Sequence, residues 1–183
     1  MKEVRIKLVS NDPVIDYPIE RPEDAIVVMQ TVIGDMANEF FAVVYLDTKN
    51  RPLDFMIAGM GGPDHSVMDP GAVMKGALLQ NATKAMLFHN HPPGDLKPSK
   101  SDISSTERLI LAGKLNQIEI LDHVIVSEKD YYSFAENGLL KTSEKQYLAG
   151  LRELRDLTAD EFNEKYSFLE SNDLKWSERM ISL

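Results

Sequence analysis

The stretch Ala85-Met86-Leu87-Phe88-His89-Asn90-His91-Pro92-Pro93-Gly94-Asp95-Leu96-Lys97-Pro98-Ser99-Lys100-Ser101-Asp102 changes character twice, and those changes set the architecture. Ala85 to Phe88 is a short apolar run of the kind that forms a buried strand. His89 to Asp95 carries two prolines and a glycine, which disfavour helix and suit a sharp turn. Ser99 then opens a helix whose Ile103, Leu109 and Ile110 point inward. Ile118 to Val126 is a further strand, and Tyr131 to Phe134 another, joined to it by a turn at Glu128-Lys129-Asp130.

Working upstream, Asp69-Pro70 starts a helix with Val73, Ala77 and Leu78 on its buried face, and Ala58 to Asp64 reads as a glycine-rich loop. Leu53 to Ile57 is a strand returning from Glu39 to Leu46, with a turn at Asp47-Thr48-Lys49-Asn50 between them. Arg21-Pro22-Glu23-Asp24 opens a helix with proline and acids in its first turn, and Ile26, Met29, Ile33 and Met36 as its apolar face. Val4, Ile6 and Leu8 alternate as a first strand. A hairpin followed by alternating strand and helix implies an α/β mixed β-sheet flanked by helices, with not every strand parallel.

Residues 1–143 read as one domain with an N-terminal strand and helix, and 144–183 as a helical C-terminal tail. In the tail, Thr158 and Glu161 form a capping box, and Leu148, Leu151 and Leu154 one apolar stripe. Docking on its own core is the plainest role for it.

The chain has 183 residues, 43% hydrophobic and 27% charged, as in a globular protein that folds in water. It has no cysteine, so disulfides and thiolate metal sites are excluded, and any transition metal must use His, Asp, Glu or water. The charged start Met1-Lys2-Glu3-Val4-Arg5 does not suit a signal peptide, and no apolar run approaches a membrane span. A cytoplasmic location with no membrane contact is the expectation. A net charge of −9 without a basic run argues against a large phosphate-binding footprint, so nucleic acid is not an expected partner.

In extended chain, residues two apart point to the same side. His89 and His91, leaving a strand end, can present two imidazoles to one point, and the turn brings back Asp102 in the first turn of the next helix. Two His and one carboxylate leave the fourth tetrahedral position of a zinc ion open, as a catalytic site requires. Ser99 and Asp102 also make an ordinary Ser-x-x-Asp helix cap, and the two roles are compatible. His123 with Asp122 reads as structural or as support behind a ligand, and His65 as a surface residue.

His-x-His, seven residues, then Ser-x-x-Asp resembles the JAMM (MPN+) metalloprotease pattern. The surrounding sequence, about residues 37–138, resembles the RadC-like branch of that family. The supporting stretches are Glu39-Phe40-Phe41 through Tyr45-Leu46-Asp47, His89 to Pro92, Pro98-Ser99 with Asp102, and Leu121-Asp122-His123-Val124-Ile125-Val126. The resemblance implies a cytidine-deaminase-like α/β fold. It implies Zn2+ held by His89, His91, Asp102 and a water, with Glu39 as general acid/base and Ser99 stabilising the oxyanion. From its position alone, Glu39 reads as a solvated residue at a strand start; only the resemblance gives it a catalytic role.

The expected activity is therefore zinc-dependent hydrolysis of amide or isopeptide bonds in a peptide or protein substrate, with a homodimer as an open expectation. The alternative is a non-enzymatic DNA-repair or mobile-element accessory protein that keeps a RadC-like scaffold. The intact ligand set favours the hydrolase, since a scaffold has no need of it. A deaminase would need His-x-Glu with Pro-Cys-x-x-Cys, which a chain without cysteine cannot supply. Relatives often have Pro-Ser-Gly where Pro92-Pro93-Gly94 stands, and Arg-Glu where Gly71-Ala72 follows Pro70, so the substrate is expected to differ. The helix-hairpin-helix segment of longer RadC proteins is not found, which weakens transfer of DNA binding.

Overall fold

The computed structural model describes residues 19, 21–61, 68–92 and 94–140. The chain separates into two units, Met1–Glu144 and Lys145–Leu183, and every described residue lies in the first. The expected first strand at Val4–Leu8, the helical tail and His65 lie outside the described residues.

The elements run α1 Pro22–Ile33, β1 Phe40–Leu46, β2 Pro52–Met60, α2 Pro70–Leu79, β3 Lys84–Asn90, α3 Lys100–Leu115, β4 Glu119–Val126 and β5 Tyr131–Ser133. The strands form one mixed sheet in the order β2-β1-β3-β4-β5. β1 is antiparallel to both β2 and β3; β3 is parallel to β4, across α3; and β4 is antiparallel to β5. The expected mixed α/β sheet flanked by helices is what the chain forms.

Strand alternation divides the core between the two faces of the sheet. Ala42, Val44 and Leu46 of β1, with Met86 and Phe88 of β3, pack against Ala25, Ile26, Met29 and Ile33 of α1. Phe41, Val43, Tyr45, Ala85 and Leu87 face the other way, onto Val73, Met74 and Ala77 of α2 and Leu109 and Ile110 of α3. Both faces of β1 and β3 are buried, which explains their near-continuous apolar sequences.

Three expectations need correction. α1 stops at Ile33, so Met36 lies beyond the helix and is 42% exposed rather than part of its apolar face. Leu78 of α2 is 56% exposed, and Met74 takes its place in the core. β2 extends through Ala58 and Gly59 to Met60, because these residues still pair with the start of β1: Phe41 opposes Gly59 and Phe40 opposes Met60. Among the described residues, no helix is long and apolar enough to cross a membrane.

Candidate metal centre

His89 sits near the C-terminal end of β3, where a parallel α/β arrangement presents its ligand-binding groups. Alternation puts His89 on the α2/α3 side of the sheet, with Leu87 two residues before it. Gly94 adopts φ 77° and donates its N–H to the His91 carbonyl at 2.7 Å, closing the turn that sends the chain back toward α3. Ser99 caps α3 in a reciprocal box: its N–H donates to Asp102 Oδ2 at 2.7 Å, and Asp102 N–H donates to Ser99 Oγ at 3.1 Å. The cap fixes Asp102, 2% exposed, facing the end of β3.

The three side chains converge. His89 Nε2 lies 2.9 Å from His91 Nε2 and 3.6 Å from Asp102 Oδ1, and His91 Nε2 lies 3.5 Å from Asp102 Oδ2. Ligand bonds of about 2.0–2.1 Å in a tetrahedral zinc site set donor atoms about 3.3 Å apart, so these separations fit. The remaining ring nitrogens are committed elsewhere. His91 Nδ1 is 2.6 Å from the Asp95 carbonyl, which can only accept, so Nδ1 carries the proton. His89 Nδ1 is 2.8 Å from His123 Nε2. Two imidazole nitrogens and a carboxylate thus face one another at contact distance, and the arrangement calls for a cation or a proton among them. His89, His91 and Asp102 are the group among the described residues that could hold a metal ion, with candidate ligand atoms all within 4.8 Å of one another.

The electrostatics agree. Burial raises the Asp102 carboxyl, but the adjoining His89 and His91 imidazoles and the hydrogen bond from the Ser99 N–H outweigh it and hold it well below the usual carboxylate range. The Asp102 carboxylate raises His91 above the ordinary imidazole range against the effect of burial; the Asp95 carbonyl and the charges of Asp102 and Glu39 add to the rise. His123, 0% exposed, is lowered well below that range, chiefly by burial and then by the neighbouring His89.

Glu39 immediately precedes β1 and is half-buried. Its carbonyl accepts from Gly61 N–H at 2.8 Å, and its charge is felt at His91. Ser99 Oγ accepts from the helix, which leaves its own proton to be donated outward.

Sequence reasoning missed Asn90. Buried on the opposite side of β3 from the two histidines, it receives Phe40 N–H at 2.7 Å on Oδ1, and Nδ2 donates to the carbonyls of Met36 at 3.1 Å and Asn38 at 3.0 Å. The residue between the two ligands therefore clamps the segment that carries Glu39. Thr106 was missed too; its hydroxyl stands 2.6 Å from both the Asp102 carbonyl and His123 Nδ1. Its only signal was its place one helical turn after Asp102, on the same face.

Comparison with known proteins places this geometry. The chain is 37% identical over 123 residues to a UPF0758 protein of Methanosarcina mazei, covering 67% of this chain and 54% of that protein. It is 38% identical over 120 residues to the Methanosarcina acetivorans UPF0758 protein, with 66% and 52% covered. With the UPF0758 protein of Flavobacterium johnsoniae it shares 36% identity over 121 residues, with 66% and 53% covered. The chain thus spans about half the length of these relatives, and their names state no activity. Residues 19–139 match the model of the RadC-like JAB domain, so the chain belongs to the RadC-like JAB domain family.

Proposed function

We propose that the protein is a zinc-dependent hydrolase of amide or isopeptide bonds, with His89, His91 and Asp102 as metal ligands. The observation that carries this reading is the pair of His Nε2 atoms 2.9 Å apart, each on a ring whose Nδ1 is already engaged, beside a buried carboxylate. A bound zinc supplies Lewis acidity, polarising a carbonyl and acidifying water near neutral pH.

The chain's own groups do the rest. Glu39 takes the proton of the attacking water as oxygen adds to the carbonyl carbon, and passes it to the nitrogen as the C–N bond breaks. Ser99 donates its free hydroxyl proton to the oxyanion that forms on addition. The Asp102 carboxylate would serve as a ligand in its ionised form, oriented by the Ser99 N–H that donates to Oδ2 at 2.7 Å. The substrate is a peptide or protein.

Elemental analysis of protein prepared without chelator, alongside a screen of peptide and isopeptide substrates, tests this. About one zinc per chain is expected, lost together with activity when His89 and His91 are both changed to Ala. Full zinc occupancy in that double variant would end the assignment.

A further inference from the structure

The hydrogen-bonded chain behind His89 has a fixed direction, set at its far end. The Asp102 main-chain carbonyl can only accept, and Thr106 Oγ donates to it at 2.6 Å. With its one proton committed there, Thr106 Oγ must meet His123 Nδ1, 2.6 Å away, as an acceptor. His123 Nδ1 therefore carries a proton. The ring is wholly buried between Phe41 and Phe134, at centroid distances of 6.1 and 4.7 Å, where a charged imidazolium is disfavoured. Its Nε2 is therefore bare and accepts from His89 Nδ1 at 2.8 Å. His89, donating from Nδ1, keeps a lone pair on Nε2, the nitrogen that faces His91 and Asp102.

We propose that Thr106 and His123 form a tautomer relay, anchored on the backbone of Asp102, that makes Nε2 the metal-binding nitrogen of His89. The proposal rests on the metal-site reading above. α3 then acts twice: its first turn supplies the Asp102 carboxylate, and Thr106, one turn later, sets the proton on the His123 ring of β4, the strand beside β3. Ligating histidines usually donate their second N–H to a carboxylate, a carbonyl or water. A neutral imidazole in that place orients His89 without adding a second negative charge behind the ligands.

If the relay ran the other way, His123 would donate from Nε2, and His89 would accept at Nδ1 and carry its proton on Nε2. That proton would stand where the metal must bind. Thr106→Val keeps the shape but removes the acceptor that enforces the direction; Thr106→Ser keeps the acceptor. Ring-nitrogen NMR of metal-free protein labelled with nitrogen-15 histidine reads the tautomers. Competition of zinc chloride against a chromophoric chelator reads affinity.

Wild type and Thr106→Ser should show protonated Nδ1 on both His89 and His123. Thr106→Val should show His89 partly protonated at Nε2 and zinc binding weakened about 10- to 100-fold, the usual effect of removing such outer support. A merely structural Thr106 would lower the melting temperature of the valine variant while leaving ring states and zinc affinity unchanged, and that result would overturn the relay. So would a wild-type His123 protonated at Nε2, a measurement that needs no variant. If wild type takes up no zinc, the metal reading fails, and the ring states still decide the relay.

Discussion

Asn90 shows how much one side chain between two ligands can control. Its amide makes three hydrogen bonds to the Met36–Phe40 segment, and each partner is main chain, so the orientation of the amide is dictated: oxygen to the Phe40 N–H, nitrogen to the two carbonyls. Asn90→Ala should cost roughly 1–3 kcal/mol, because it leaves an N–H and two carbonyls of a part-buried segment without their partners. Asn90→Asp should be at least as damaging despite its near-identical shape, since a carboxylate cannot donate to the Met36 and Asn38 carbonyls. Denaturant melts of the three proteins decide this; an Asp variant as stable as wild type would refute the clamp. Glu39 lies inside the clamped segment, and its replacement separates shuttle from ligand. Glu39→Gln should leave zinc content and melting temperature nearly unchanged while turnover falls by roughly 100-fold or more. Loss of zinc in that variant would instead make Glu39 part of the metal shell.

At the scale of elements, the strands and helices were legible where burial is simple. β1 and β3 are apolar on both faces and announce themselves; α3 begins where Ser99 and Asp102 predict it, because a cap is a local interaction. Met36 and Leu78 were misread because helical periodicity continues past the point where a helix stops or turns its edge to water. The ligand triad was legible because its spacing is short. His123 was legible as structural or as support behind a ligand, but Asn90 and Thr106 were not assigned roles, because their partners come from segments remote in sequence: Asn90 lies 50 positions from Phe40, and Thr106 lies 17 from His123. A similar long-range constraint joins α2 to β1. Tyr45 is wholly buried and donates its hydroxyl to the Val73 carbonyl at 3.0 Å, and a Cβ on Gly76 would run into that hydroxyl. Ala is normally the better helix residue, by about 1 kcal/mol. Gly76→Ala should nevertheless destabilise, by roughly 1–3 kcal/mol for overpacking, and Gly76→Ala combined with Tyr45→Phe should recover part of the loss. Thermal melts of the single and double variants test the contact.

For the whole molecule, folding and metal binding are linked through His91. In the metal-free fold the Asp102 carboxylate raises this imidazole above its ordinary value of 6.5. A raised folded-state value means that His91 contributes stability fully below about pH 6.5, the unfolded value, and that this contribution is lost as pH rises through the raised value. Metal binding needs the neutral ring, so it displaces a proton and strengthens over the same interval. Asp102 does not oppose this trend, because it stays ionised far below that range. The difference in melting temperature between zinc-loaded and chelator-treated protein should therefore be small near pH 6 and grow toward pH 8. A ligand held at 100 times its dissociation constant stabilises the fold by about 2.7 kcal/mol, an effect that calorimetry resolves readily. His91→Ala should flatten the dependence along with the zinc effect. A zinc-induced stabilisation that is independent of pH, or that grows on the acid side, would mean that the proton displaced is not on His91 and that the metal is held by other groups.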